Sequence, residues 1–395
     1  MEGYGRVAGV FKNDKSATMR ILLVGTPYDV HMGTFSSYLA EAMPMVKLDL
    51  FSVVERNEDK AIPSAIDNIY FKKCHFPRFV YKVPGIQNIV SAIDFKISFS
   101  RQINEHYSFV NVHYISIENA FCYRVYRRVS DKLLLTPYGS DIMRAPGYVL
   151  KMLRGLFNSA DYVCDSVSQL SLVVKNIYNI PDTKLVNLTF GSSVIDELDR
   201  SSMTKSEAKC ILGINGLIAI TVGYNASRNQ NHIHVIEQIG RIPDSIKSSV
   251  VILLPLTYPS NKDYISLLKS KLKDQNLEYI VFDRFLSMQE MIIIRLASDI
   301  FINAQITDAS SASVKEYLLA DNVLLNASWL DYPLLRNNGV PFVVFNAYEE
   351  LCDLICQILE SKDEYKLQKT SRDFLLQEGW KKRIKEWAEF FANKQ

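Results

Sequence analysis

The sequence lacks the marks of several broad classes of protein. Among its 395 residues, no apolar run reaches the roughly 18 residues that a membrane-spanning helix needs. Residues 1–18 surround a short apolar run with mixed charges, unlike a signal peptide, and are expected to be an extension or a misplaced start. The six cysteines form no CxxC pair, which favours free thiols in a reducing compartment over disulfides or a metal site.

The motifs of metal and dinucleotide sites are also missing. The six histidines show no HExxH or comparable spacing, no DxD-like acidic pair stands out, and no GxGxxG follows a predicted strand. We therefore expect no required metal ion and no resident cofactor.

Net charge is small but unevenly distributed. The formal charge is +2, with roughly +5 in residues 1–195 and roughly −3 in residues 196–395. Cations alternate with aromatic residues in 71–82 and 123–128. Such a face can hold anionic lipid headgroups, and it can equally be ordinary surface. Peripheral contact with an anionic membrane is one expectation, and no nucleic-acid partner is expected.

Length and composition are typical of a globular protein with two or three domains. Apolar runs of strand length alternate with helical patterns in both halves, which predicts an α/β protein with doubly wound sheets. Charged residues cluster in 196–215, the expected hinge region. The predicted domains are therefore 1–195 and 196–375, followed by a C-terminal helix within 376–395. Other helices are expected over 117–129, 153–160, 167–178, 233–239, 329–337 and 351–359.

The predicted strands of the first half end in polar or glycine-containing segments. These strands are 20–25, 46–51, 109–113, 133–136, 162–166 and 185–188. Ligands gather at the carboxyl ends of strands in doubly wound sheets, so His113, Tyr138, Ser140 and Asp141 are candidate binding residues. A lone histidine such as His113 is also often a core imidazole. Gly33 lies in the loop expected before the first helix, where a plain turn is the alternative.

The second half begins with the same pattern. An apolar strand runs into Gly223 and Tyr224, and a polar loop leads to a helix. Arg228 is the cation of that loop. A guanidinium is a good two-pronged ligand for phosphate, although a solvated loop arginine is the alternative.

Two carboxylates form the most informative pattern in the chain. Asp308 and Glu316 lie eight positions apart, with only small residues, one valine and one lysine between them. An apolar run at 300–302 predicts a strand before them, and the residues after them predict a helix.

The start of that helix has two interpretations. If it begins near Ser310, the free N–H groups of its first turn, around Ser310, Ser311 and Ser313, suit an anionic group such as a diphosphate. The pair Ser313 and Glu316 also has the spacing of a capping box, which would be purely structural.

The order of four segments, 281–291, 297–302, 308–316 and 321–325, carries a resemblance. It resembles the C-terminal domain of retaining GT-B glycosyltransferases. In that family two acidic residues separated by seven others open a helix under the nucleotide-sugar. The resemblance implies an α/β GT-B fold, with two doubly wound Rossmann-like domains facing across a cleft, and a C-terminal helix that packs back on the first domain.

The resemblance also implies roles for individual residues. Glu316 would accept hydrogen bonds from the ribose hydroxyls, and Asp308 would hold a sugar hydroxyl and face the anomeric carbon. Arg228 and the N–H groups of the helix start would stabilise the leaving diphosphate. The residues implied to bind the donor are Glu316, Gly223, Tyr224, Ser310, Ser311, Ser313, Gly33 and Phe285.

Two positions depart from the family pattern. Tyr138 stands where these transferases carry the histidine of a His-Gly-Ser-Asp loop. A tyrosine with a pKa near about 10 is a poor base at neutral pH, so Tyr138 is expected to position the substrate. Tyr224 replaces the arginine that usually follows the glycine, which leaves Arg228 as the nearest cation.

The implied function is transfer of a sugar, with retention, from a nucleotide-diphosphate sugar to a glycan or a polyprenyl-diphosphate-linked saccharide in surface polysaccharide biosynthesis. The acceptor would bind near His113, Ser140 and Asp141. A patchier similarity, to 4-acetamido-4,6-dideoxy-galactose transferases, hints at a lipid-linked acceptor. The expected location is the cytoplasm or the inner face of the cell membrane. A nucleotide-sugar epimerase of the same architecture and a non-catalytic sugar-nucleotide-binding protein are the alternatives.

Overall fold

The chain divides into two compact units. The computed structural model describes residues 19–83, 86–164, 168–259, 261–308 and 311–394. Unit 1 comprises Met1–Cys164, Val174–Val186 and Phe390–Gln395, and unit 2 comprises Asp165–Val173 and Asn187–Glu389. The expected extension, residues 1–18, lies outside the described residues.

Unit 1 is built on a seven-stranded sheet of parallel strands in the order β3-β2-β1-β4-β5-β6-β7. The strands are β1 (Arg20–Gly25), β2 (Lys47–Ser52), β3 (Asn68–Phe71), β4 (Tyr107–His113), β5 (Ser130–Thr136), β6 (Tyr162–Cys164) and β7 (Leu185–Val186). Ile21, Leu22, Leu23 and Val24 of β1 are all fully buried. Such a continuous apolar run is typical of a parallel strand covered on both faces.

Helices flank this sheet. They are α1 (Val30–Ala42), α2 (Gln87–Gln102), α3 (Tyr123–Val129), α4 (Ser140–Met143), α5 (Gly147–Met152) and α6 (Arg154–Ser159); α7 (Ser168–Tyr178) belongs partly to each unit. Helix α2 packs Phe95 and Phe99 against Phe51 of β2, with ring centroids 5.2 and 4.9 Å apart.

Unit 2 is built on a six-stranded parallel sheet in the order β10-β9-β8-β11-β12-β13. The strands are β8 (Ile218–Val222), β9 (Val250–Pro255), β10 (Glu278–Phe282), β11 (Ile300–Asn303), β12 (Val323–Ala327) and β13 (Val343–Phe345). The helices are α8 (Ser193–Arg200), α9 (Lys205–Ile211), α10 (His232–Ile239), α11 (Asp244–Lys247), α12 (Lys262–Asp274), α13 (Met288–Ala297), α14 (Ala312–Leu319), α15 (Pro333–Asn337), α16 (Leu351–Glu360), α17 (Lys369–Leu376) and α18 (Trp380–Asn393), the last of which ends in unit 1. The predicted α/β class with two doubly wound parallel sheets is confirmed.

Several element boundaries differ from the expectation. Helix α1 begins at Val30, because the Asp29 carboxylate accepts from the His31 N–H at 3.0 Å and caps it. Gly33 therefore lies in the first turn of that helix and not in a loop before it. The helix expected over 117–129 is a short 3-10 turn followed by α3. The helix expected over 329–337 is shorter than predicted, since α15 begins only at Pro333.

Helix α2 was not predicted. Its buried side is largely apolar, and its exposed side carries isoleucines. The sequence of α2 therefore lacks the polar face by which a surface helix is usually recognised. In the described part of the chain, no helix is both long enough and apolar enough to cross a membrane.

Gly223, directly after β8, is expected to tolerate no side chain. Its φ is +62°, and an added Cβ would lie 2.8 Å from both Gln230 Oε1 and His232 Nε2. Gly213 is a matched control, since its φ is +71° but nothing lies within 4 Å of its Cβ position. Both Gly→Ala changes carry left-handed strain of about 1–2 kcal/mol. Gly223→Ala should lose about a further 1–3 kcal/mol of unfolding free energy through the clash.

The measurement is urea unfolding of the two alanine variants beside the wild type. Equal losses in both variants would show that the packing around Gly223 is looser than the structure indicates.

Candidate functional site

The sheet of unit 2 places two loops side by side. Strand order runs outward in both directions from the adjacent strands β8 and β11. In doubly wound sheets ligands bind at the carboxyl ends of strands where the order reverses. The loop after β8 carries Gly223, Tyr224 and Arg228, and the loop after β11 carries Asp308. Most of the residues predicted to bind the donor therefore follow the two strands at this reversal, whereas Gly33 lies in α1 and Phe285 follows β10.

Gln305 ties the two loops together. Its side-chain oxygen accepts from the Tyr224 hydroxyl at 3.1 Å, from Gln230 Nε2 at 3.2 Å and from Asn229 Nδ2 at 3.3 Å. Its backbone oxygen accepts from the Trp329 indole at 2.7 Å. Gln305 is buried, and no motif pointed to it; its only signal in the sequence is its place just after β11.

Tyr224 is a neutral member of this network. Burial, and secondarily the charge of Asp308, raise the pKa of Tyr224 to about 12. The Tyr224 hydroxyl is uncharged and donates its hydrogen bond to Gln305. Tyr224 therefore does not supply the positive charge of the arginine that usually follows this glycine.

Arg228 is exposed and rests on an aromatic ring. Its guanidinium carbon lies 4.6 Å from the ring centroid of Tyr264, which is 2% exposed. The Tyr264 hydroxyl lies 3.2 Å from Nδ1 of the buried His232, which fixes the ring. Among the described residues, Arg228 pairs with no carboxylate, whereas Arg284 pairs with Glu290. A cation–π contact holds a guanidinium in place without neutralising it.

Asp308 is held at the mouth of the second loop. Its Oδ2 accepts from the hydroxyl of the buried Tyr332 and from the Ser311 N–H, the latter at 3.2 Å. Tyr332 is itself fixed, since its oxygen accepts from Asn303 Nδ2 at 3.1 Å. The orientation of the half-buried Asp308 carboxylate is thus set by Ser311 and by Tyr332, and no pattern in the sequence pointed to the contact with Tyr332.

Helix α14 begins at Ala312, with Ser311 as its N-cap. Ser313 lies inside the first turn, so the alternative of a Ser313–Glu316 capping box is wrong. Ser310 lies outside the described residues. The N–H groups of the first helical turn have no partners within the helix, and Ala312 and Ser313 at that turn are not fully buried.

Glu316 lies farther along α14 in a buried ion pair. Its Oε2 accepts from Arg295 Nη2 at 2.9 Å and Nε at 3.2 Å, and its Oε1 accepts from the Ser192 hydroxyl at 2.7 Å. The side chains of Arg295 and Glu316 are 6% and 7% exposed. A carboxylate has about four acceptor positions, and three are used here. If Glu316 also binds ribose, as predicted, the ribose hydroxyls have to use a carboxylate that already accepts these three hydrogen bonds.

A second buried cluster holds α14 through Lys315. Glu378, 2% exposed, accepts from Lys315 Nζ at 2.5 Å and from the Arg383 guanidinium. Burial by itself raises the pKa of Glu378, but the charges of Lys315 and Arg383 outweigh it, and the pKa is lowered below its ordinary value.

Phe285 lies in the loop after β10. Its side chain is 69% exposed, and its carbonyl accepts from Arg284 Nη1 at 3.2 Å. No contact with the Gln305 network is found in the described residues, so its donor-binding role stays a prediction.

The strand order in unit 1 reverses between β1 and β4, and His113 ends β4. The His113 Nδ1 lies 3.3 Å from the Tyr138 hydroxyl, and the Tyr138 ring also meets His31 edge to face at 5.6 Å. Burial, with a smaller effect of His31, lowers the pKa of His113 to about 3. Burial likewise raises the pKa of Tyr138 well above its ordinary value. Both side chains are neutral near pH 7, which agrees with a positioning role.

Asp141 stabilises the same loop from within. Its carboxylate accepts from the Ile115 N–H at 2.7 Å and from the Tyr138 N–H at 3.0 Å. Burial raises the pKa of Asp141 to about 6, although these N–H groups oppose the shift. Ser140, the first residue of α4, follows Gly139 and is half-buried. Asp141 is thus a structural anchor of the segment predicted to bind the acceptor.

No group of three or more His, Cys, Asp or Glu side chains in the described residues is placed to hold a metal ion. Arg228 and the first turn of α14 are instead the positive groups at the reversal point of unit 2.

Comparison with known proteins identifies the fold. No family model and no curated protein matches the sequence. Sucrose-phosphate synthase from Thermosynechococcus elongatus matches with a TM-score of 0.74 at 12% identity, over 95% of this chain and 98% of that chain. The chain has the GT-B fold.

Two further solved structures with this GT-B fold are similar. Anabaena HepE in complex with UDP-glucose has a TM-score of 0.70 at 12% identity, over 95% of this chain and 100% of that chain. WaaG, a glycosyltransferase involved in lipopolysaccharide biosynthesis, has a TM-score of 0.68 at 10% identity, over 95% and 99%. At these identities the likeness concerns the fold.

The buried His113 should make unit 1 sensitive to acid. The pKa of His113 is 6.5 in the unfolded chain and about 3 in the folded protein. Between these two values, the imidazole is protonated in the unfolded chain and neutral in the folded protein. The contribution of His113 to the free energy of unfolding therefore falls by about 2 kcal/mol between about pH 8 and about pH 5. The raised pKa of Asp141 acts in the opposite direction, so the contribution of His113 is measured as the difference between the wild type and a His113 variant.

Urea unfolding at the two pH values tests this expectation. His113→Gln should lose that part of the pH dependence, and His106→Gln, at an exposed histidine, is the control. An unchanged pH dependence in His113→Gln would contradict the assignment.

The ion pair of Glu316 allows its structural and ligand roles to be separated. Glu316→Gln leaves Arg295 buried without its counter-charge. The free energy of unfolding should therefore fall by about 3–5 kcal/mol. The double variant Arg295→Met/Glu316→Leu removes both charges and should recover most of that stability.

Nucleotide affinity is then measured on the stable double variant. Weak binding there would identify Glu316 as a ligand of the donor, and wild-type binding would leave it a purely structural residue. A single Glu316→Gln variant within about 1 kcal/mol of the wild type would show that the pair contributes little.

Proposed function

We propose that the protein is a retaining glycosyltransferase whose unit 2 binds a nucleotide-diphosphate sugar. The observation that carries the proposal is the placement of two groups in loops that Gln305 joins. One is the exposed Arg228, which pairs with no described carboxylate, and the other is Asp308. The GT-B fold supports the proposal, since HepE has the same fold and is solved with UDP-glucose.

In this reaction the bond between the anomeric carbon and the diphosphate oxygen breaks, and the nucleoside diphosphate leaves. The acceptor hydroxyl forms the new bond from the same face, and its proton passes to the departing phosphate oxygen. Negative charge grows on the diphosphate as the bond breaks. Fixed donors at Arg228 and the first turn of α14 would stabilise that charge in the transition state.

Asp308 has the complementary task. Its carboxylate would hold a sugar hydroxyl and offset the positive charge that develops at the anomeric carbon. The contacts with Tyr332 and Ser311 keep the carboxylate oriented before the donor arrives. Preorganised charge of this kind acts without a cost of reorientation during the reaction.

The acceptor is proposed to be a glycan or a polyprenyl-diphosphate-linked saccharide used for surface polysaccharide. The polar segment of unit 1 around His113, Tyr138 and Ser140 would position it through neutral hydrogen-bonding groups. A lipid-linked acceptor would place the protein on the inner face of the cell membrane. WaaG, which shares the fold, acts in lipopolysaccharide biosynthesis.

A thermal-shift panel of nucleotide diphosphates and nucleotide-sugars tests donor binding first, because a ligand of the native state raises its stability. Turnover with and without acceptor saccharides follows. Turnover of the sugar without an acceptor would indicate an epimerase, and binding without turnover a non-catalytic protein; either result overturns the proposed transfer.

Arg228→Ala should lower kcat by about 10²–10³ with the cognate donor, while donor affinity falls less. Arg228→Lys should recover only part, since an ammonium lacks the two-pronged geometry. Tyr264→Leu removes the ring under the guanidinium and should cost up to about tenfold in kcat, and Tyr264→Phe, which keeps the ring, should cost little.

The control for these kinetics is Arg284→Ala, because Arg284 is an exposed arginine already paired with Glu290. If Arg228→Ala stays within about threefold of the wild type, less than about 1 kcal/mol, the leaving diphosphate is not held by Arg228.

A further inference from the structure

One surface of unit 1 exposes apolar side chains without any described cover. On and before helix α2, Phe79 is 70% exposed, Ile86 47%, Ile89 42% and Ile93 38%. Phe76 and Val83 are each 38% exposed in the same segment. We call this surface the α2 face. Single exposed apolar residues are ordinary, but a contiguous set marks an interaction site.

The isoleucines of the α2 face form a stripe along the helix. At about 100° per residue, Ile86, Ile89, Ile93 and the half-buried Ile97 fall within an arc of about 80°. Lys96 and Arg101, both exposed, fall on the two flanks of that arc. An apolar stripe with cations on its borders is typical of a helix that lies in a membrane interface.

The charge of the surrounding segment has one sign. Residues 72–101 contain six lysines and arginines and one acidic residue, Asp94. Asp94 is fully buried, where it accepts from the His75 N–H at 2.9 Å and from the Tyr81 hydroxyl. The segment therefore offers cations and no exposed carboxylate, which complements an anionic partner.

The same buried carboxylate fixes the surface. Because Asp94 lies on α2 and its partners His75 and Tyr81 lie before the helix, it anchors the part of the chain that carries Phe76 and Phe79. The apolar side chains are thus presented by an ordered support.

Two cations of the basic clusters noted in the sequence are already engaged within the protein. Lys72 Nζ donates to Ser91 at 2.7 Å, and Arg127 is paired with Asp161. By contrast, Lys96 and Arg101 border a groove of about 520 Å³ that Ile93, Ile97 and Phe121 also line.

We infer that the α2 face inserts into the surface of an anionic lipid bilayer. Phe79 and the isoleucine stripe enter the boundary between headgroups and acyl chains, and Lys82, Lys96 and Arg101 contact lipid phosphates. The inference deepens the proposed function, since a lipid-linked acceptor resides in such a surface. It adds an apolar part to the peripheral contact with an anionic membrane that the uneven charge distribution predicts.

The experiment is co-sedimentation of the full chain with vesicles of phosphatidylcholine alone or mixed with phosphatidylglycerol. The wild type should bind the anionic vesicles and keep part of that binding at about 0.5 M salt, where exposed charges are largely screened. Ile89→Ser/Ile93→Ser should lose at least about tenfold in binding at both salt concentrations. Lys96→Ser/Arg101→Ser should lose binding mainly at low salt.

Ile211→Ser, at an exposed isoleucine of unit 2, is the matched control and should bind like the wild type. In an Ile89→Trp variant, the fluorescence of the introduced indole should also shift to the blue on mixing with anionic vesicles. Nucleotide-induced thermal shifts of each variant show whether the fold and the donor site are intact, so failure of the donor hypothesis is seen separately.

Three results would overturn the inference. The wild type could ignore anionic vesicles, Ile89→Ser/Ile93→Ser could bind as the wild type does, or those changes could instead dissociate a dimer. The last result would show that a second copy of the chain covers the α2 face.

Discussion

Reversal of strand order within a parallel sheet is the constraint on which the candidate sites depend. Right-handed crossovers send the chain outward on one side of the first strand and then on the other. The two central strands therefore end next to each other without a crossover helix above them. In unit 2 this geometry brings the loops after β8 and β11 together, although their residues lie about eighty positions apart in the chain.

Side-chain hydrogen bonds then convert this proximity into a defined arrangement. Gln305 receives three donors from the first loop, and Asp308 is oriented by Tyr332 from a third segment. The charged groups differ in whether a counter-charge lies beside them. Arg228 rests on Tyr264 without a counter-charge, while Glu316 is neutralised by Arg295 inside the unit. Of the two carboxylates that drew attention in the sequence, Asp308 lies at the opening of the loop and Glu316 is largely buried.

Sequence periodicity was sufficient to predict the fold class, because buried parallel strands are continuous apolar runs that stand out from amphipathic helices. Candidate residues at strand ends could be predicted for the same reason. The residues that orient them could not. Gln305, Tyr332, Tyr264 and Arg295 act through contacts between distant segments, and none belongs to a motif with local spacing. Helix α2 was missed because its exposed isoleucines hide the period of the helix.

The buried cluster of Glu378, Lys315 and Arg383 has a consequence for the end of the chain. Glu378 lies just before α18, Arg383 lies in it, and Lys315 lies on α14. If the residues around 378–383 unfolded, the ammonium of Lys315 would lose its ion-pair partner Glu378. That loss is costly because the Lys315 side chain is only 12% exposed. These terminal residues and α14 should therefore open as one cooperative unit, with amide protons that exchange at a common free energy. The C-terminal segment is in that sense part of the support of the candidate donor site and not a detachable tail.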